Sequence, residues 1–173
     1  LARAICRLKY ESRHDVAGPL GVLLGQMIQH HSLPENSIVV PVPIDAGRLA
    51  ARGFNQSALL AREVATLAGL TMRPRVLRRK GASTPQAQRS RSERLKLVDA
   101  GIIRAAGGCS GTVLLVDDVV TTGSTLRACA RALRHAGAER VVAAVLAHRT
   151  HVVPELDRTP SDPWLVTAWL EGR

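Results

Sequence analysis

Val113-Leu114-Leu115-Val116-Asp117-Asp118-Val119-Val120-Thr121-Thr122-Gly123-Ser124-Thr125 is the stretch that decides the fold. Four β-favouring apolar residues run into two adjacent carboxylates, then a Thr/Gly/Ser turn, then a helical pattern. A continuous apolar run of this kind is the mark of a parallel strand buried on both faces. Gly123 admits backbone angles closed to other residues, and Ser124 or Thr125 is expected to cap the helix that follows. The N–H groups at such a helix start form an anion cradle. Two acids beside a phosphate cradle make electrostatic sense if the ligand also brings hydroxyls or a metal. A sugar phosphate supplies both needs.

Working outward, strand and helix alternate. Asp15 is a candidate cap for a helix whose apolar face is Val16, Leu20, Leu23, Leu24 and Met27, with Pro19 in the tolerant first turn. Residues 38–42 are β-branched and closed by Pro43, so they read as a strand. Ser57, Leu60, Ala61, Val64 and Ala68 recur at helical spacing until Gly69. Residues 76–78 form a plausible second strand. Residues 81–92 are polar and without apolar periodicity, which reads as a mobile basic loop over about 79–92. Beyond the central strand, Leu126, Cys129, Ala130, Leu133 and Ala136 make one helix face closed by Gly137, and residues 141–147 follow as another buried strand. The expectation is an α/β fold, a doubly wound and mostly parallel sheet flanked by helices. All four strands belong to one sheet in this reading. The 173 residues fit one domain, with a tail over about 153–173 whose Trp164, Leu165, Val166, Trp169 and Leu170 pack back on it.

Composition narrows the class. No apolar run reaches the ~18 residues that cross a bilayer, and the first ten residues carry three scattered basic groups rather than a signal peptide. Cys6, Cys109 and Cys129 are odd in number and far apart, as suits reduced thiols in a cytoplasm. The chain starts with Leu rather than Met, so it reads as processed or a fragment. Net charge is +10, from 21 Arg and 3 Lys against 14 acids. Most of it is concentrated between Arg73 and Arg94, where eight basic residues face only Glu93, a net +7. Such a cluster faces pyrophosphate, nucleic acid, an acidic partner or plain solvent.

A second constellation follows the first strand: Pro41-Val42-Pro43, then Arg48, Arg52, Gly53, Phe54, Asn55 and Gln56. It falls where a strand's carboxyl end meets a helix, the edge at which open α/β sheets bind ligands. The 113–125 stretch resembles the 5-phosphoribosyl 1-diphosphate (PRPP) motif of type I phosphoribosyltransferases. With Leu8-Lys9-Tyr10, Pro-Val-Pro and Arg-Gly-Phe-Asn-Gln added, the chain resembles the ComF/GntX-type branch of that family, over about residues 8–149. The resemblance implies that Asp117 and Asp118 are the catalytic pair, holding the ribose hydroxyls. Thr121, Thr122, Gly123, Ser124 and Thr125 would wrap the 5′-phosphate. The loop after Pro43, with Arg48 and Arg52, would contact pyrophosphate. Arg78, Arg79, Lys80, Gln86 and Arg94 would belong to a flexible hood closing over PRPP, and Mg²⁺ would arrive with PRPP.

The chain departs from that pattern in three ways. Leu97 and Ile102 stand where the family has an Asn and then an aromatic. No Cys-x-x-Cys pair is present for the zinc ribbon that opens many members. No catalytic base is marked. The histidines lack accompanying ligands at metal spacing, so no protein metal site is expected. Two functions stay open. One is a phosphoribosyltransferase acting on PRPP and a nitrogenous base. The other is a competence-related nucleic-acid or PRPP-binding module without turnover. For the latter, the only aromatics are Tyr10, Phe54, Trp164 and Trp169, none within the basic cluster. The acceptor base is unmarked, and a homo-oligomer is compatible with the sequence.

Overall fold

The structure is a computed structural model that describes residues 4–5, 7–8, 14–79, 103–148 and 165–167. The Asp-Asp stretch is its central strand. Thr112–Val120 (β5) lies between Ile38–Pro41 (β1) and Arg140–His148 (β6); Thr71–Met72 (β2) and Leu165–Thr167 (β7) form the edges, giving the order β2-β1-β5-β6-β7. Every pairing in this sheet is parallel, with Pro41 opposite Val116 and Asp117 opposite Val145.

Helices cover both faces. Ala17–Gln29 (α1) and Gln56–Ala68 (α3) bury Leu20, Leu24, Ile28, Leu60 and Val64 against Val39, Leu114, Val116, Val142 and Leu146. Ser124–His135 (α4) buries Leu126, Cys129 and Leu133 against Val40, Val113, Leu115, Val141 and Val145. The strands therefore alternate between two cores, with Leu114 and Val116 of β5 on one side and Val113 and Leu115 on the other. That is why the sequence showed an unbroken apolar run rather than a half-polar one.

Three local expectations are corrected. The strand anticipated near Val76 forms as Leu77–Arg79 (β3), but outside the main sheet: it pairs antiparallel with Ile103–Ala105 (β4) in a separate two-stranded ribbon. Thr71–Met72, too short to show a period, takes the position beside β1 instead. Asp15 does not cap α1. It lies in a 3₁₀ turn, His14–Val16, and Val16 occupies the cap position without a side-chain bond. The loop expected after Pro43 is a short helix, Ala46–Arg52 (α2), started by Asp45, whose side chain accepts from the Arg48 N–H at 2.9 Å. In the tail, Leu165–Thr167 pairs with β6, so that segment does return to the domain. The remainder of the tail and residues 80–102, which hold all of the basic loop beyond its first residue, lie outside the described residues.

α1 presents Gly21 and Gly25, not Leu23 and Met27, at its closest approach to α3; the latter two are only half-buried. A Cβ on Gly21 would stand 2.6 Å from the Glu63 Cβ, which belongs to the stiff base of that side chain. Gly21→Leu should therefore overpack this contact. A loss of about 1–3 kcal/mol is expected, read as a lower urea midpoint with an unchanged slope.

Candidate functional site

β5 continues through both acids and ends only at Val120, so Asp117 and Asp118 are strand residues rather than the beginning of a loop. Asp118 is buried, and its Oδ1 accepts from the Val119 N–H at 2.6 Å. Asp117 is half-buried and lines a small hollow of about 50 Å³ together with Val119, Val120, Thr121, Thr122, Gly123, Ser124 and Thr125. The first acid and the whole expected phosphate turn thus share one depression at the carboxyl edge of the sheet.

The turn is built by its glycine. Gly123 has φ +71°, the left-handed region that other residues enter only with strain, and it is the N-cap residue of α4. Neither Ser124 nor Thr125 caps the helix, contrary to expectation; both are already inside it, and the helix start has no side-chain cap bond. The Thr122 hydroxyl is the nearest substitute, accepting from the Ser124 N–H at 3.4 Å. A helix start without a side-chain cap has N–H groups available for an external anion. Arg127, which the sequence reading passed over, donates from Nη2 to the Thr122 carbonyl at 2.8 Å. Because a peptide unit is planar and trans, holding that carbonyl toward Arg127 turns the Gly123 N–H the opposite way. Arg127 thereby fixes the turn and brings a positive charge to it.

The opposite wall starts at the carboxyl end of β1. Val42 donates to the Val116 carbonyl at 2.9 Å, continuing the strand pairing one residue past Pro41. Asn55 caps α3, accepting from the Ser57 N–H at 3.1 Å while its Nδ2 donates to the Val42 carbonyl at 3.0 Å. Ser57, counted from the sequence as part of an apolar helix face, donates its hydroxyl to Asp117 Oδ1 at 2.7 Å. Only a tertiary contact could reveal that role. Pro43 is half-buried, and α2 carries Arg48 and Arg52 from the same β1 end. Arg48 pairs with Asp45 across 3.2 Å, an exposed bond within its own helix.

The basic loop is described only at its root. Arg78 and Arg79 lie in β3, whereas Lys80, Gln86 and Arg94 lie outside the described residues. Cys129 of α4 feels charge from both this root and the acids. Burial first, and then the Asp117 charge, push its thiol up from 9.0 to about 12, with Arg79 opposing the shift. Asp117 and Arg79 therefore both act on one point of α4.

With the geometry in place, comparison with known proteins is decisive on kinship. The Phosphoribosyl transferase domain family matches residues 49–162. The chain belongs to that family. The ComF-type resemblance also holds. The chain is 33% identical over 149 residues to the DNA utilization protein YhgH of Salmonella typhi, covering 82% of this chain and 64% of that one. It is 28% identical over 148 residues to competence protein F of Haemophilus influenzae, covering 82% and 65%. The chain thus spans a little under two thirds of each relative's length. Among solved structures, the glutamine PRPP amidotransferase of B. subtilis superposes with a TM-score of 0.50 at 20% identity, over 83% of this chain and 30% of that one. That likeness supports the type I phosphoribosyltransferase fold.

Cys129 yields a direct check. A thiol is unreactive until ionised, and native Cys129 retains its proton well above the ordinary range. Cys109 is likewise buried and raised, chiefly by burial, and its thiol donates to the Leu133 carbonyl at 3.3 Å. Iodoacetamide at about pH 8 should therefore leave both unlabelled in the folded protein and label both in denaturant, as read by peptide mass spectrometry. Since the Cys129 value is raised on folding, its contribution to stability is complete below pH 9.0 and is lost as pH rises toward about 12.

Proposed function

We propose that this protein binds PRPP at the carboxyl edge of β5 and transfers the phosphoribosyl group to a nitrogenous base, releasing pyrophosphate. The observation that carries the reading is the shared hollow: a carboxylate suited to ribose hydroxyls, Asp117, lies beside a glycine turn with helix N–H groups suited to a phosphate. Family membership supports the same assignment.

In this reading Thr121–Thr125 hold the 5′-phosphate, with Arg127 adding charge, and Asp117 and Asp118 take the ribose hydroxyls. Loss of pyrophosphate leaves a cationic, oxocarbenium-like sugar, which two nearby carboxylates favour electrostatically. Pro43, Arg48 and Arg52 on the β1 side receive the pyrophosphate; Arg48 must exchange its exposed pairing with Asp45 to do so, a change of small cost at the surface. Mg²⁺ is usually held by one or two carboxylates together with substrate phosphates, and the oxygen donors Asp117 and Asp118 suit it. When bound, it would neutralise the departing diphosphate. Arg78 and Arg79 root the basic hood, with Lys80, Gln86 and Arg94 beyond them, and closure would exclude water.

One observation favours the binding-module alternative. Arg78 and Arg104 are directly opposite each other in the β3–β4 ribbon, and both are exposed. Like charges in that position are unfavourable by themselves and are relieved by a polyanion. The relatives' names, DNA utilization and competence, point the same way.

Calorimetric titration with PRPP, with and without Mg²⁺, and a screen of bases for pyrophosphate release separate the two. The account expects saturable PRPP binding. Asp117→Asn with Asp118→Asn should weaken it at least about ten-fold, since hydrogen bonds to charged groups contribute ~1.5–3 kcal/mol each. The melting temperature should change little. Unaltered PRPP affinity with a large loss of stability would make the acids structural. DNA affinity that falls in R78Q/R104Q, without any PRPP binding by the parent, would favour the alternative.

A further inference from the structure

We infer that Ser57 is the positioning residue for the Asp117 carboxylate, aiming it from the helix on the far side of the crevice; this rests on the PRPP reading above. The bond belongs to a closed ring. Val42 donates to the Val116 carbonyl, and the Val42 carbonyl accepts from Asn55 Nδ2 at 3.0 Å. Asn55 Oδ1 accepts from the Ser57 N–H at 3.1 Å. The Ser57 hydroxyl then reaches Asp117 Oδ1 at 2.7 Å, and Asp117 is bonded through the chain to Val116, where the ring began.

Each link is anchored to a rigid element. Val42 and Val116 continue the pairing of two central strands, and Asn55 and Ser57 are the cap and second residue of a thirteen-residue helix. Ser57 is only 5% exposed, so water does not compete for its hydroxyl. The neighbouring Asp118 N–H, at 2.9 Å, also donates to the same oxygen. That contact comes from the adjacent peptide and is kept in many side-chain orientations. The Ser57 hydroxyl comes from another element and ties the carboxylate to the β1 wall. The ring thus sets the spacing between the ribose-binding acid and the side of the crevice assigned to pyrophosphate.

A merely structural role would not distinguish ligands. The test uses the full chain and compares Ser57→Ala with Ser57→Thr. S57A should bind PRPP roughly ten-fold more weakly, as expected for the loss of one hydrogen bond to a charged group, while inorganic pyrophosphate alone binds as before. S57T, which keeps the hydroxyl, should restore PRPP affinity, and a crystal structure of S57A should show the Asp117 carboxylate rotated away from α3. Three results would overturn the inference: an unmoved carboxylate, unchanged PRPP affinity, or PRPP and pyrophosphate affinities falling together with the melting temperature. If the parent chain fails to bind PRPP at all, the proposed function falls, and the carboxylate's position in the S57A crystal still decides the positioning claim.

Discussion

The constraint on which this molecule depends is that its central strand, buried on both faces, carries two adjacent carboxylates close to its carboxyl end. Val113 to Val116 are fully enclosed, so β5 cannot shift register without exposing one core and burying charge in the other. The acids are tolerated because they fall near the carboxyl edge, with only Val119 and Val120 following them in the strand. An unpaired buried charge is costly, and each of these carboxylates is met by the next backbone N–H in the chain. Placement at the edge and local bonding together allow charge at the end of an apolar strand.

From that constraint the rest of the site follows as a division of labour between two walls. One wall is the Gly123 turn and the start of α4, with Arg127 holding the Thr122 carbonyl. The other is β1, α2 and the cap of α3, reaching Asp117 through Asn55 and Ser57. The sheet joins the two walls directly, because β1 and β5 are neighbours. No long-range device is needed to bring the two sequence constellations, residues 41–56 and 113–125, to one place. Adjacent parallel strands do it.

Much of this was legible in the sequence because burial on both faces leaves unbroken apolar runs, and because Asp-Asp followed by Thr-Thr-Gly-Ser-Thr has few other uses. The parallel sheet and the helices around Leu60 and Leu133 follow from periodicity alone. What escaped was short or tertiary. Two-residue Thr71–Met72 has no period to detect, and residues 77–79 look the same in a ribbon as in a main sheet. Helix α2 has no buried face, so no apolar period announces it. Ser57 sat at an apolar helical spacing, and its hydroxyl acquires meaning only when Asp117 stands beside it. Arg127 was hidden in the same way: its charge matters through a carbonyl five residues back.

The central claim, that the β5 edge is the PRPP site, is tested most directly by backbone amide NMR of the isotopically labelled chain titrated with PRPP and Mg²⁺. The account predicts the largest shifts at Thr121, Thr122, Gly123, Ser124 and Thr125, with Asp117, Asp118 and Ser57 following at the same ligand concentrations. Shifts confined to Arg78, Arg104 and the ribbon that carries them, with the Gly123 turn unmoved, would contradict it.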